Sequence, residues 1–306
     1  MKHNEMLAGR RSFLLAGAGT MAAMGLPRLV LAQGALVDPV TPAINLVRDV
    51  GGNVITLDSG DGLLLVDSGS AQATDQLVAA LGNKPVHTLI NTHWHPDQVG
   101  GNAYFGNRGA RIIAHKNTQL HLKTPYYLLE EERYHQPMPA DDWPEEAVYT
   151  SGSIDVGNEE VEYGYLEMAH SNGDLYVRFN NANVIAVGDV VSPVIDPGFD
   201  WFSGGWIGGR VDALNRLLDM GNDETRYLPS YGPVIGRADV EAERDMMQFL
   251  YDTLVDQIRK GFDNQDSLAT GIMDNLPRKL DDPAKFLYDA HKGLWAHHNK
   301  LEPNIV

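Results

Sequence analysis

The chain of 306 residues is 43% hydrophobic and 8% aromatic, ordinary values for a soluble globular protein with room for one large domain or two small ones. Its 41 acidic against 24 basic side chains give a formal charge of -17, which repels phosphate backbones and anionic membranes and argues against nucleic-acid binding. There is no cysteine, so there is no disulfide framework or cysteine-linked lipid, and any metal must be held by nitrogen and oxygen ligands.

Residues 1–32 read as a segment outside the fold. Arg10 and Arg11 stand side by side ahead of the apolar, small-residue run in GRRSFLLAGAGTMAAMGLP, and Val30 and Ala32 precede a cleavage point near Gln33, the pattern of a twin-arginine export signal. A membrane anchor is the bland alternative, but the run is short, glycine-rich and broken by Pro27 and Arg28, whereas a span needs about 20 apolar residues. The expectation is handling by the twin-arginine export machinery, a periplasmic or secreted destination, no stable membrane anchor after processing, and residues 33–306 as the folded domain. That route carries folded proteins, which suits a chain that takes up its metal before leaving the cytoplasm.

After the signal, short β-rich runs alternate with helical ones. VITLDSGDGLLLVDSG, residues 54–69, predicts two strands around a turn at Gly60 to Gly62, with Leu63 to Val66 buried on both faces. A helix over 71–81, a buried strand VHTLI at 86–90, a strand from Arg111 to Ala114 and a short helix from about Asn117 complete a first half. The second half predicts strands at 161–166, 175–179 and 184–187, a helix at 211–220 with apolar residues at helical spacing, a strand and loop at 225–230, and a long amphipathic helix from Arg237 to about Lys260. Two such halves pressed sheet to sheet, helices outside, make an α/β fold: a four-layer αββα sandwich. Two segments fit neither half, TPYYLLEEERYHQPMPADDWPEE (124–146) and PGFDWFSGGW (197–206). Both read as loops with exposed rings, either packed locally on the surface or walling an active site.

The chemistry concentrates in NTHWHPDQVGGN, residues 91–102. In extended backbone residues i and i+2 point to one side, so His93 and His95 converge on one ion. Pro96 biases His95 to extended geometry and favours a helix start, which puts Asp97 and Gln98 in a first turn. The VHTLI strand delivers the motif at its carboxyl end, where α/β sheets bind ligands. Gly100 and Gly101 allow close backbone approach. Taken singly, Asp97 could merely complement the helix dipole and each histidine could be an ordinary loop residue; the combination points to a metal.

With these residues the chain resembles the metallo-β-lactamase fold superfamily, whose HxHxDH motif is matched by His93, His95, Asp97 and, imperfectly, Gln98. The resemblance runs in the family's order through LDSGDGLLLVDSG, NTHWHPDQVGGN, AHSNGDLYVRF, VIAVGDVV and LPSYGPVIGR, nearly all of the chain beyond the signal. It implies His170 as the third ligand of a first metal site and Asp189 as the carboxylate that commonly bridges two metals. Asp97 belongs to the second site, which members complete with a histidine directly after the aspartate and another in a PGHGP loop. Here those positions hold Gln98, a poor zinc ligand, and Tyr231, which must lose a proton of pKa near 10 to bind well. Two departures on one site suggest that it is weakened or empty.

The resemblance therefore implies a hydrolase with one ion, zinc first and iron or manganese as alternatives, on the three histidines. Such an ion lowers the pKa of its water to about 7 and yields a hydroxide nucleophile for an ester, thioester, lactone or amide, β-lactams included. Asp97 would orient that water or take its proton, Tyr231 would donate to an oxyanion, and Asp189 would be a fourth ligand or its supporting partner. Competing readings are a mononuclear iron sulfur dioxygenase using His93, His170 and Asp189, and a binding protein that has lost catalysis. His115 reads as structural, His297 and His298 as surface residues of a polar tail helix near Trp295, and His135 as a disfavoured replacement ligand. The partner is a small-molecule substrate, with an apolar or aromatic portion favoured by the ring-rich loops.

Overall fold

The computed structural model describes residues 34–82, 84–128 and 132–297; residues 1–32, expected to be an export signal, and His298 lie outside the described residues. A seven-stranded sheet contains β1 (Leu36–Pro39), β2 (Ile44–Arg48), β3 (Val54–Asp58), β4 (Leu63–Val66), β5 (Val86–Ile90) and β6 (Arg111–His115). Its last strand, β9 (Glu146–Val148), follows a separate antiparallel hairpin, β7 (Tyr126–Leu128) with β8 (Arg133–His135). The second sheet runs in sequence order through β10 (Ser151–Val156), β11 (Glu159–Tyr165), β12 (Leu175–Phe179), β13 (Val184–Gly188) and β14 (Arg226–Pro229).

The period-2 alternation of the strands decides the layering. Ile55, Leu57, Leu64 and Val66 of the first sheet meet Val177, Phe179, Val184 and Ala186 of the second in one buried cluster between the sheets. The intervening residues face outward. Val54, Leu63 and Leu65 pack with Leu77 of α1 (Thr74–Ala80) and Phe105 of α3 (Asn102–Gly106). On the other side, Tyr176, Ile185 and Val187 pack with α5 (Ile207–Met220), α6 (Arg237–Arg259) and, after the short α7 (Asn264–Ala269), α8 (Pro283–Ala296). The result is the expected four-layer αββα sandwich, with all four residues of β4 buried as its unbroken apolar run predicts.

Strands β4, β5, β6 and β9 are parallel, as are β13 and β14, so several carboxyl ends open on one edge of the sandwich. That edge carries the motif residues. Four expectations need correction. The 124–146 segment is not one loop, since it holds the β7–β8 hairpin and leads into β9. The 197–206 segment is not ring-exposed throughout: Phe199 and Trp206 join the core, while Phe202 is exposed. His297 is buried, stacked on Trp206 with Nε2 3.0 Å from the Gly204 carbonyl. His87, inside the strand expected to be buried, is exposed. Strands β1, β2 and β10 carry no expectation, because their alternation is broken by polar residues or half-exposed. No helix among the described residues is long and apolar enough to cross a membrane.

Candidate metal centre

His95 is the extended N-cap of α2 (Pro96–Val99), with φ -65° and ψ 145°, as the proline after it requires. The short loop between β5 and α2 thus presents His93 and His95 together, ring centroids 4.8 Å apart. His170, from the loop between β11 and β12, brings its ring to 5.0 Å from His93 and 4.9 Å from His95. Asp189 follows β13 directly.

Donor atoms of His93, His95, His170 and Asp189 all lie within 4.8 Å of one another. His170 Nε2 is 3.3 Å from His95 Nδ1 and 3.6 Å from Asp189 Oδ2, and His93 Nε2 is 3.7 Å from Asp189 Oδ2. Tetrahedral donors at about 2.0–2.1 Å from an ion sit roughly 3.3–3.4 Å apart, so these spacings need little adjustment. His93 Nε2 and Asp189 Oδ1 are buried without a hydrogen-bond partner. Orphaned polar atoms are costly in a folded protein unless something else satisfies them. Three imidazoles, a carboxylate and two such atoms fit a divalent zinc, iron or manganese ion.

The electrostatics suit that role. Burial lowers the His93 pKa well below its ordinary value and brings His170 down to about 4, so both rings are neutral at pH 7, the form that binds a metal. Burial also pulls on His95, but the carboxylate of Asp200 beside its Nε2 reverses the sign and the net shift is upward. Asp189 is buried too, yet the facing His93 and His170 hold its carboxyl below the usual range.

The outer partners are residues that sequence reasoning left unassigned. Asp67, at the end of β4 with φ 62°, accepts from the Thr92 amide and hydroxyl, each at 2.7 Å. The hydroxyl proton is committed to Asp67, so Thr92 Oγ1 accepts from His93 Nδ1 at 3.0 Å and leaves Nε2 facing the cluster. Asp174 accepts from the amides of His170 and Ser171 at 2.7 Å and so fixes the third histidine's loop. A charged residue ending an apolar strand was the available signal for Asp67; Asp174 showed none.

Asp97 lies outside the four-residue group. Its Oδ2 accepts a short hydrogen bond from Tyr231 Oη, and Gln98 Nε2 stands 3.4 Å from the same oxygen. Gln98 is fully buried, its amide pressed on Gly52, where an added Cβ would meet Nε2 at 2.1 Å. Gly100 and Gly101 do pass close to backbone, that of Ser68 to Ala71 rather than beneath the histidines. His115 caps α4 (Lys116–Lys123) and stacks on Tyr165. His135 lies outside the group and meets the Trp94 ring edge-on at 5.4 Å.

The model of the metallo-beta-lactamase superfamily matches residues 47–245, a span holding every site residue from Asp67 to Tyr231. The chain belongs to that superfamily. As a metallo-beta-lactamase superfamily member it is similar to 2,4-dinitroanisole O-demethylase subunit alpha of Nocardioides sp. (strain JS1661), 27% identical over 236 residues that cover 74% of this chain and 66% of that protein. The metallo-beta-lactamase from Pontibacter korlensis superposes with a TM-score of 0.57 at 16% identity, over 70% of this chain and 99% of that one. The stereoselective inverting sec-alkylsulfatase Pisa1 from Pseudomonas sp. gives 0.63 at 14% identity, over 88% of this chain and 52% of that one. At these identities the two structures establish the shared fold. The match spans just under two thirds of the demethylase subunit and about half of the alkylsulfatase.

Proposed function

We propose that this superfamily member is a hydrolase of small molecules that works with a single ion, zinc in the first instance, on His93, His95 and His170, with Asp189 as fourth ligand. The observation that carries the reading is the convergence of four donors around the partnerless His93 Nε2 and Asp189 Oδ1. When bound, the ion polarises the scissile group and lowers the pKa of a water towards 7. The chain does the rest. Asp97 orients the attacking water or takes its proton, and Tyr231 donates its one hydroxyl proton to Asp97, which fixes that carboxylate; the same proton is not available to an oxyanion while this bond stands. The amide of Gln98 and the hydroxyl of Tyr231 turn onto Asp97 at the sequence positions where the family resemblance implies histidines, which supports one ion rather than two.

Candidate substrates are an activated ester, thioester, lactone or amide; dinitroanisole is a methyl aryl ether, so the likeness to the O-demethylase subunit adds activated aryl ethers. The test is metal analysis of the purified protein together with turnover of one compound from each class, before and after chelation. The expected result is one equivalent of metal and chelator-sensitive, metal-restorable turnover of at least one class. Substoichiometric metal with no turnover supports a binding protein instead, and iron with persulfide-dependent oxygen uptake supports a dioxygenase. Export by the twin-arginine route rests on Arg10 and Arg11 ahead of the apolar run, and Arg10→Lys/Arg11→Lys is expected to keep the protein in the cytoplasm on fractionation.

A further inference from the structure

The sequence reads 197–206 as a loop packed on the surface or walling an active site, and residues 197–205 contact the outer side of the histidine cluster. The carbonyl of Gly198 lies 3.1 Å from His170 Nδ1. A carbonyl only accepts, so the proton sits on Nδ1 and Nε2 keeps its lone pair for the cluster. Two residues on, Asp200 Oδ2 lies 3.4 Å from His95 Nε2 while accepting from Trp94 Nε1 at 2.8 Å and Ser203 Oγ at 2.5 Å. An acceptor on Nε2 turns His95 the opposite way round, with Nδ1 as its donor atom, and Nδ1 is the nitrogen that faces His170.

The segment is itself held from behind. Arg210 of α5, fully buried, donates from Nη1 to the Gly198 carbonyl at 2.9 Å and from Nη2 to Glu243 of α6 and to Ser192 Oγ, both at 2.8 Å. Glu243 accepts from the Ser192 amide at 2.9 Å, closing the network. The Asp200 amide donates to the His170 carbonyl at 2.8 Å, and a Cβ on Gly205 would meet that carbonyl at 1.9 Å, so only glycine lets the chain lie this close. Phe199 is anchored in the helical core.

We infer that the 197–205 segment is an orienting brace. Gly198 and Asp200 fix opposite tautomers on His170 and His95, and the buried Arg210–Glu243 pair keeps the Gly198 carbonyl in place. Asp200 and Arg210 are positioning residues. The inference rests on the metal-centre reading above, and the experiment separates the two.

Full-length protein labelled with 15N-histidine and stripped of metal gives ring tautomers by long-range proton–nitrogen correlation, and zinc affinity by competition with a chromophoric chelator. The expected wild-type result is Nδ1–H on His170 and Nε2–H on His95. Asp200→Ala should abolish the His95 preference and weaken zinc binding about 10–100-fold, the usual effect of losing an outer partner. Asp200→Asn, which keeps an acceptor oxygen, should recover most of that loss. A purely structural role would lower the melting temperature of Asp200→Ala without moving tautomer or affinity. Either Nε2–H on His170 or Nδ1–H on His95 in the wild type, or zinc affinity in Asp200→Ala within twofold of wild type, overturns the brace. If Asp200→Ala does not fold, the wild-type tautomers alone decide. A wild-type chain that binds no zinc overturns the metal centre instead, and the tautomers still report on the brace.

Discussion

The two halves of the centre solve the same burial problem in opposite ways. On the His93–His95–His170–Asp189 side, the outward nitrogens of the rings are committed to Thr92, Asp200 and Gly198, while the inward atoms face one another with His93 Nε2 and Asp189 Oδ1 unpartnered. On the Asp97–Gln98–Tyr231 side, the phenol and the amide turn onto the carboxylate. A buried polar group must be satisfied by something. One half turns its free lone pairs on one another, while in the other the protein itself satisfies the Asp97 carboxylate and only Gln98 Oε1 is left without a partner, so polar composition alone does not mark a metal position; the direction in which the lone pairs point does.

The largest effect that would break this contrast comes from the first half. His170→Ala or His93→Ala is expected to abolish metal retention and cut turnover by on the order of a thousandfold or more, since even an outer partner is worth 10–100-fold. Metal analysis alongside circular dichroism checks it; metal retained at wild-type stoichiometry would put the ion elsewhere. Tyr231→Phe tests the second half. It should lower kcat by about 10–100-fold, the usual effect of losing an orienting partner, here the one that fixes Asp97, while metal content stays unchanged. If the metal leaves instead, Tyr231 is a ligand and the contrast fails.

The double change Gln98→His with Tyr231→His sharpens the comparison, since it restores the residue types that hold a second ion in other members. The expected readout is a rise from one to two metal equivalents. Acid separates the halves more mildly. Burial holds His170 near 4 in the folded chain, below its ordinary value of 6.5, so between those pH values the unfolded chain binds more protons. Stability of the metal-free protein is therefore full above about pH 6.5 and falls as pH drops towards 4. Urea midpoints of the wild type and His170→Gln at pH 7 and pH 5 should show the smaller decline in the variant; equal declines would mean that the imidazole is already solvated.

Much of the scaffold was legible because its residues carry their environment in local patterning. Leu63 to Val66 and Val184 to Val187 are apolar without interruption, and both are sandwiched between layers. Pro96 announced the extended His95 and the helix after it. His170 and Asp189 were legible only through family likeness, because nothing local ties them to a motif about 75 residues away or more. Asp200 was illegible for the same reason, since its partner Trp94 is 106 residues distant. Rings in the 197–206 segment signalled exposure, but Phe199 and Trp206 found cover from α5, α6 and α8, elements encoded after them. His297 misled likewise, a polar residue on a tail helix that docks against Trp206.

The placement of Trp94 has an optical consequence. Its indole lies between the rings of His95 and His121, 4.7 Å and 5.2 Å away, and its N–H is tied to Asp200. A cation bound at His95 changes the field across that ring and the strength of its hydrogen bond, so intrinsic fluorescence is expected to change on metal addition without an added dye. Of the five tryptophans, this one stands between His93 and His95 in sequence, and its replacement by phenylalanine identifies the responding share of the emission.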